Sequence, residues 1–318
     1  MTNKLRVRVA SRTEEADGIC SFELVPQDGD LLPAFTAGSH IDVHVSPGLI
    51  RQYSLSNNPL ERGRYRIAVL RELASRGGSV GMHEDIKTGQ VLCISEPRNH
   101  FPLAAAARSL LLAGGIGVTP ILSMARTLHA QGSEFEMHYC GRSLSRMAFV
   151  EEIASAPFSD VVTLHADDVS AQRVDMQQVL ANPAHDTHLY VCGPSGFMEH
   201  VLSTARAQGW CESQLHREYF AGTNKALASN GSFEIRLAST GFACMVPANK
   251  SVIEVLAEHG VVVPTSCEAG VCGTCLTRVV EGTPDHRDTF LTDSERAAND
   301  QFTPCCSRAL TPLLVLDL

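Results

Sequence analysis

Four cysteines near the carboxyl-terminal end constrain this chain more than any other feature. Three have the spacing C-x4-C-x2-C and the fourth follows after residues 276–304. In plant-type [2Fe–2S] sites this spacing lets four thiolates hold two irons bridged by sulfide. Gly270 and Gly273 lie inside the loop, where a missing Cβ permits close approach of the backbone. The spacing therefore predicts an iron–sulfur cluster. Its expected ligands are Cys267, Cys272, Cys275 and Cys305.

Two other uses of these cysteines are a structural zinc site and disulfides. Zinc ribbons pair one C-x2-C with a second C-x2-C, and only one such pair occurs in this sequence. The seven cysteines outside the cluster set are scattered, and we expect most of them to be buried reduced thiols. They are Cys20, Cys93, Cys140, Cys192, Cys211, Cys244 and Cys306. A colourless protein would favour the zinc alternative, on a non-catalytic binding module.

Length and composition narrow the class of protein. A chain of 318 residues exceeds one ordinary core, so two or three domains are expected. The formal charge of −9 offers no basic surface for nucleic acid. No apolar run reaches the length of a membrane span, and the amino terminus has no apolar signal core. These features predict a cytoplasmic protein.

Residues 1–103 read as short strands broken by turns, which predicts a small antiparallel β-barrel. One predicted strand contains Arg51, Gln52, Tyr53 and Ser54. Alternation puts Arg51 and Tyr53 on one face, where they suit a phosphate and a flat ring such as a flavin. An ordinary strand with one exposed arginine would look the same.

A second phosphate-suited element follows in the same region. Gly77, Gly78 and Ser79 precede a helix predicted from Val80, and free N–H groups at a helix start favour an anion. The glycine pair could also be a simple turn.

Residues 104–222 alternate strands with helices, which predicts a doubly wound parallel sheet. Its first strand leads into Gly114-Gly-Ile-Gly-Val-Thr-Pro120, where Pro120 occupies the third glycine position of the usual dinucleotide fingerprint. The free amides of this turn still suit a pyrophosphate. A later strand end brings Cys192, Gly193 and Pro194 to the same crevice, where Cys192 either packs or borders a nicotinamide.

The remaining residues are divided between a linker and a third domain. Residues 223–232 are small and polar, which indicates a linker. Residues 233–318 return to strands and contain the four-cysteine set. Thr292 and Glu295 have capping-box spacing, which predicts a short helix.

Taken together, these motifs resemble the phthalate dioxygenase reductase family, in the same domain order and over the entire chain. The resemblance implies a flavin-binding antiparallel β-barrel, an NAD-binding doubly wound α/β domain and an α+β plant-type ferredoxin domain of the β-grasp class. It implies FMN, with FAD as the alternative, together with NADH and a [2Fe–2S] cluster. Arg142 and Arg146 could meet the 2′-phosphate of NADPH or could simply be solvated, so the choice of NADH is weakly encoded.

The resemblance also implies site residues. Ser54, Cys192 and Phe220 are expected beside the reacting rings, with Phe220 shielding the flavin. The flavin is expected to contact Arg51, Gln52, Tyr53, Ser54, Ala68, Val69, Leu70, Gly77, Gly78, Ser79 and Val80. The nicotinamide nucleotide is expected to contact Gly115, Gly117, Val118, Thr119, Pro120, Cys192, Gly193 and Pro194.

The implied activity is an NADH-dependent reductase that serves a separate terminal Rieske non-haem iron oxygenase, one that demethylates an aromatic methoxy acid. The same electron chain could instead serve a cytochrome P450 or a different Rieske oxygenase. We expect a monomer. Acidic residues near the cluster loop predict a carboxylate rim that steers a basic partner, although the same residues could simply form a solvated face. They are Glu258, Glu268, Glu281, Asp285 and Asp288.

Overall fold

The computed structural model describes residues 4–29, 31–46, 49–72, 77–220, 231–265, 270–271, 273–288 and 290–318. The chain divides into two compact units, Met1–Tyr219 and Phe220–Leu318. The finer domain boundaries at residues 103 and 222 remain predictions, and most of the predicted linker lies outside the described residues. Among the described residues, no helix is both long and apolar enough to cross a lipid bilayer.

The first unit begins with an antiparallel sheet that has the order β4-β3-β6-β1-β2-β5, with β7 paired to β3. Beyond the end of β4, the Ser56 N–H donates to the Arg66 carbonyl at 2.8 Å, which joins the two outer strands and closes the barrel. Alternating apolar side chains of these strands fill the interior, as in Val7, Val9, Ile41 and Val43. The elements are β1 Lys4–Ala16, β2 Ile19–Pro26, β3 Ser39–Ser46, β4 Leu49–Ser54, β5 Tyr65–Leu70, α1 Gly78–Glu84, β6 Val91–Ser95 and β7 Arg98–Asn99.

A parallel sheet with the order β10-β9-β8-β11-β12 completes the first unit. Its strands β8 and β11 carry apolar runs because helices cover both faces. One face packs against Ile121 and Leu122 of α2, and the other packs against Val201 and Leu202 of α5. The elements are β8 Arg108–Gly114, α2 Val118–Gln131, β9 Glu134–Gly141, α3 Val150–Ala154, β10 Val162–Ala166, α4 Met176–Val179, β11 Thr187–Cys192, α5 Ser195–Ala207 and β12 Leu215–Glu218.

The second unit is a mixed sheet with the order β14-β13-β19-β15-β17, and α6 packs its apolar face into the core of this unit. The capping box predicted at Thr292 and Glu295 is confirmed, since each backbone N–H is bound by the other side chain. The elements are β13 Phe233–Leu237, β14 Ala243–Val246, α6 Val252–Glu258, β15 Thr277–Glu281, β16 Pro284–Asp285, α7 Asp293–Ala298, β17 Gln301–Phe302, β18 Arg308–Ala309 and β19 Leu313–Leu316.

Candidate functional site

The Arg51 side chain of β4 lies across the first turn of α1. A Cβ placed on Gly78 would come within 2.5 Å of Arg51 Nε and 2.6 Å of Arg51 Cγ, so only glycine admits this crossing. Gly77 precedes the helix with φ +84°, a conformation that glycine adopts readily. The structure therefore brings together the arginine and the glycine turn that the sequence indicated separately. Both fit a phosphate, and that role remains a prediction.

Tyr53 and Gln52 lie on opposite faces of β4. Tyr53 packs against the barrel core, and burial raises the pKa of its hydroxyl well above the usual value. The Gln52 side-chain nitrogen is buried and has no hydrogen-bond partner among the described residues. A buried amide of this kind fits a site whose remaining partner is a bound group.

A hydrogen bond joins the barrel to the last strand of the parallel sheet. Ser54 Oγ donates to Glu218 Oε2 at 3.0 Å. Glu218 ends β12 directly beside Cys192 of β11. Burial raises the pKa of Glu218 to about 7, and the hydrogen bond from Ser54 opposes that shift. Burial, together with the nearby Glu218, also raises the pKa of the Cys192 thiol. Two of the predicted catalytic residues, Ser54 and Cys192, therefore flank the half-buried carboxyl group of Glu218.

The sequence reasoning missed Glu218. Ser54 and Glu218 are 164 residues apart, and no spacing rule links them. The available signal was an acidic residue shortly before the end of the predicted α/β domain, where polar side chains at strand ends border ligands.

Strand β5 presents Ala68, Val69 and Leu70 in alternation. Ala68 and Leu70 pack toward the core of the parallel-sheet domain, whereas Val69 belongs to the barrel core. The Val69 carbonyl accepts a hydrogen bond from His83 Nε2 at 2.8 Å. Ala68 is buried and Leu70 is half-buried, and contact of either side chain with a flavin remains a prediction. On α1, Val80 is half-buried and Ser79 Oγ accepts the Glu72 N–H at 3.0 Å.

The glycine-rich turn after β8 meets the turn after β11 backbone to backbone. A Cβ on Gly117 would lie 2.2 Å from the Cys192 carbonyl oxygen and 2.7 Å from the Gly193 nitrogen. A Cβ on Gly193 would lie 2.9 Å from Gly114 Cα. These glycines are therefore required by chain packing at the switch point of the sheet, independently of any ligand.

The other residues of this turn differ in exposure. Val118, Thr119 and Pro120 are buried in the first turn of α2, and Thr119 Oγ1 donates to the Ile116 carbonyl at 3.1 Å. Gly115 has φ +52° and open space beside it, and Pro194 is exposed. Contact with a nucleotide thus falls to the backbone of this turn, and it remains a prediction.

Phe220 is 40% exposed and begins the second unit. Residues 221–230 lie outside the described residues. The role of Phe220 as the aromatic residue that shields the flavin remains a prediction.

The cysteine loop of the second unit has the features of a cluster site in the residues that can be described. Cys275 and Cys305 are buried in one apolar core, at 3% and 6% exposure. Gly270 and Gly273 have φ +71° and +69°. A Cβ on Gly273 would lie 2.3 Å from the Phe290 ring. Cys267 and Cys272 lie outside the described residues. Buried thiols and a tightly packed glycine loop fit a [2Fe–2S] cluster.

The predicted acidic rim is partly wrong. The Asp288 side chain is fully buried and accepts the Phe290 and Leu291 N–H groups, so it cannot face a partner. Glu258 pairs with Lys250 at 2.6 Å, and Asp285 accepts from Arg287 at 2.7 Å. Glu281 is exposed, and Glu268 lies outside the described residues.

A cluster of charged side chains, which was not predicted from the sequence, joins the barrel to the parallel-sheet domain. Arg66 of β5 makes a bidentate pair with Glu152 of α3, at 2.6 and 3.0 Å. Its guanidinium lies 4.5 Å from the centre of the Phe149 ring. Arg126 of α2 also contacts Glu152, and burial lowers the pKa of Arg126 to about 10.

Comparison with known proteins places the modules in a family. A model of the 2Fe-2S iron-sulfur cluster binding domain matches residues 235–310. A second model, the dimethylamine monooxygenase subunit DmmA-like N-terminal domain, matches residues 98–215.

Similarity to whole proteins extends over the complete chain. A vanillate O-demethylase oxidoreductase of Pseudomonas putida is 58% identical, over 98% of this chain and 98% of that protein. The solved structure of phthalate dioxygenase reductase, described as a modular structure for electron transfer from pyridine nucleotides to [2Fe-2S], superposes with a TM-score of 0.81. It is 40% identical and covers 99% of this chain and 98% of its own. The chain belongs to the phthalate dioxygenase reductase family.

Members of the phthalate dioxygenase reductase family are flavin-, NAD- and [2Fe–2S]-dependent oxidoreductases, and the three predicted modules are confirmed. An intact type IV self-sufficient cytochrome P450 monooxygenase also matches, with a TM-score of 0.80 and 36% identity. That match covers 99% of this chain and 41% of the longer one.

Proposed function

We propose that the chain is the reductase component of a two-component aromatic O-demethylase, carrying electrons from NADH through FMN and a [2Fe–2S] cluster to a separate Rieske-type oxygenase. The observation that carries this proposal is the 58% identity over 98% of both chains to a vanillate O-demethylase oxidoreductase. Vanillate or a related methoxybenzoate is the proposed substrate of the partner oxygenase.

The residues of the first unit have distinct proposed roles. A bound flavin would supply the chemistry of accepting two electrons as a hydride and releasing them one at a time to a one-electron acceptor. Arg51 and the turn at residues 77–79 would hold its phosphate by charge and by free N–H groups. Ser54 and Cys192 border the half-buried Glu218, and they would orient the reacting rings.

The residues of the second unit would hold the cluster through Cys267, Cys272, Cys275 and Cys305. Soft thiolates suit iron–sulfur centres. A cytoplasmic monomer with FMN rather than FAD completes the proposal. We also propose NADH rather than NADPH as the electron donor. Arg142 and Arg146, the two arginines that could meet the 2′-phosphate of NADPH, are both exposed.

Aerobic reconstitution tests the proposal, because the partner oxygenase consumes O2 together with the electrons that the reductase delivers. The purified chain is mixed with a vanillate O-demethylase oxygenase, NADH and vanillate, and demethylated product is measured against oxygenase alone. Heat-released flavin is identified by chromatography. We expect product formation that requires both proteins, and FMN at one equivalent. A chain that reduces its own cluster with NADH and yet supports no turnover would contradict the choice of partner.

A second candidate acceptor is a cytochrome P450. The match to a self-sufficient P450 supports it, because this chain aligns with about two fifths of that longer protein. Parallel assays with P450 and Rieske acceptors, compared as kcat/KM for each acceptor, distinguish the two candidates.

A further inference from the structure

The segment around Asp288 packs directly on both glycines of the cysteine loop. A Cβ placed on Gly270 would lie 2.8 Å from Asp288 Cα and 2.4 Å from Cys306 Sγ. A Cβ placed on Gly273 would meet the Phe290 ring at 2.3 to 2.6 Å. Asp288 and Phe290 therefore lie against Gly270 and Gly273, the two described glycines within the C-x4-C-x2-C spacing.

The Asp288 carboxylate holds this segment in shape. Oδ2 accepts the Leu291 N–H at 2.7 Å and the Phe290 N–H at 3.1 Å. Arg296 of α7 donates to the Asp288 carbonyl at 2.8 Å. A carboxylate that accepts two backbone N–H groups fixes the turn more firmly than a neutral side chain does.

The same carboxylate also reaches the segment that carries the fourth cysteine. Ser307 Oγ donates to Asp288 Oδ1 at 3.5 Å, and Ser307 also accepts the Arg287 N–H at 3.1 Å. Ser307 is two residues after Cys305. Asp288 thus contacts two segments of the cluster site. It packs on Gly270 in the loop of the first three cysteines, and it accepts a hydrogen bond from Ser307 in the segment of the fourth cysteine.

The charge of Asp288 is shielded from water. Its side chain is fully buried, with Arg296 Nη2 at 3.9 Å and His286 Nδ1 at 3.8 Å as the neighbouring basic groups. Neither ring nitrogen of His286 has a hydrogen-bond partner among the described residues. A buried charge acts through a low dielectric, so its field is screened less than that of a surface carboxylate.

We propose that Asp288 is the positioning residue of the [2Fe–2S] centre, fixing the cysteine loop against the Cys305 segment and lowering the reduction potential of the cluster with its buried negative charge. Reduction adds negative charge to the cluster, and a nearby fixed negative charge opposes it. This inference rests on the cluster assigned to the second unit and not on the identity of the partner oxygenase.

The test compares three variants of the full chain with the wild type. Asp288→Asn keeps the size and one acceptor oxygen but removes the charge, whereas Asp288→Ala removes the charge and the hydrogen bonds. Asp285→Asn is the matched control, since Asp285 is half-buried, lies three residues away and pairs with Arg287. Redox equilibrium with a reference dye is followed by the cluster's EPR signal, and cluster loss is followed by bleaching in a chelator.

We expect Asp288→Asn to shift the dye equilibrium at least threefold toward reduced cluster, and Asp288→Ala to lose the cluster at least tenfold faster. Asp285→Asn should do neither. If Asp288→Ala does not fold, Asp288→Asn decides. Wild-type potential in Asp288→Asn would overturn the electrostatic part, and wild-type bleaching in Asp288→Ala would overturn the positioning part. A wild-type chain without a cluster would instead contradict the proposed function.

Discussion

At the scale of single residues, Glu218 couples stability to pH. Its pKa of about 7 in the folded chain exceeds the ordinary value of 4.5, so the folded state binds the proton more tightly than the unfolded state. The ionised carboxylate therefore costs stability increasingly as pH rises from about 5 to 8. We expect Glu218→Gln to stabilise the protein at pH 8 by about 2 to 3 kcal/mol, with little effect near pH 4.5. Thermal unfolding across this pH range measures the difference.

The control for this prediction is Ser54→Ala. Removing the Ser54 hydroxyl deletes a hydrogen bond that favours the charged form, so this variant should lose stability most at high pH. If the stability of the wild type and of Glu218→Gln changed with pH in the same way, the raised pKa of Glu218 would be refuted.

The adjacent cysteines at 305 and 306 differ in surroundings and should differ in role. Cys305 lies in the apolar core with Cys275, whereas Cys306 Sγ lies within 3.4 Å of Thr303 Oγ1 and against Gly270. We expect Cys305→Ala to bleach the cluster absorbance and Cys306→Ala to retain it, as visible spectra would measure. The reverse pattern would assign the fourth ligand to Cys306.

At the scale of elements, the two turns at the switch point of the parallel sheet are close-packed. Gly117→Ala places a methyl group against the Cys192 carbonyl, and overpacking of this kind costs about 1 to 3 kcal/mol. We expect the same variant to raise the KM for NADH, because the crevice must widen. Steady-state kinetics and thermal unfolding measure both effects.

Gly196 provides the matched comparison within the same crevice. It lies in the first turn of α5, and a Cβ there meets nothing within 4 Å. Gly196→Ala should leave stability unchanged or raise it slightly, since alanine favours helix. If Gly117→Ala and Gly196→Ala lost the same stability, the backbone contact at Gly117 would not explain the loss.

The elements that the sequence predicted well have strong local patterns. The strand predicted to lead into Gly114 is β8, and the predicted capping box at Thr292 begins α7. Strand β6 and the two-residue strands β7, β16, β17 and β18 were not predicted from the sequence. Pairs such as Pro284–Asp285 have no periodicity of their own. Their pairing is decided by distant partners, here Arg308–Ala309.

The site followed the same rule. Arg51 and the Gly77–Gly78 turn were found from local chemistry. Glu218 and the Arg66–Glu152 pair were missed, because each depends on a contact between residues far apart in sequence. Asp288 was predicted to lie at the surface because it is charged. In the fold its buried carboxylate accepts two backbone N–H groups, and composition does not reveal such hydrogen bonds.

At the scale of the whole molecule, the two units should fail separately. Cys275 belongs to the core of the second unit, and the proposed flavin and nucleotide residues Arg51 and Gly115 belong to the first. We expect Cys275→Ser to abolish NADH-dependent reduction of cytochrome c while NADH-dependent reduction of ferricyanide falls less than twofold. Both activities are followed by absorbance in a flavin-loaded preparation. Equal loss of the two would mean that the cluster does not lie downstream of the flavin.

The barrel and the parallel sheet are joined in a way that limits how such chains can recombine. Arg66 pairs with Glu152, and one apolar core contains Ile19, Ala68 and Phe149. A gene fusion that broke the chain near residue 103 would split one continuous core and leave a buried guanidinium without its carboxylate, which is strongly destabilising. A break after Tyr219 would separate the two compact units. When domains recombine among these reductases, the barrel and the parallel sheet should therefore be inherited together. The ferredoxin domain should be the one that is exchanged separately.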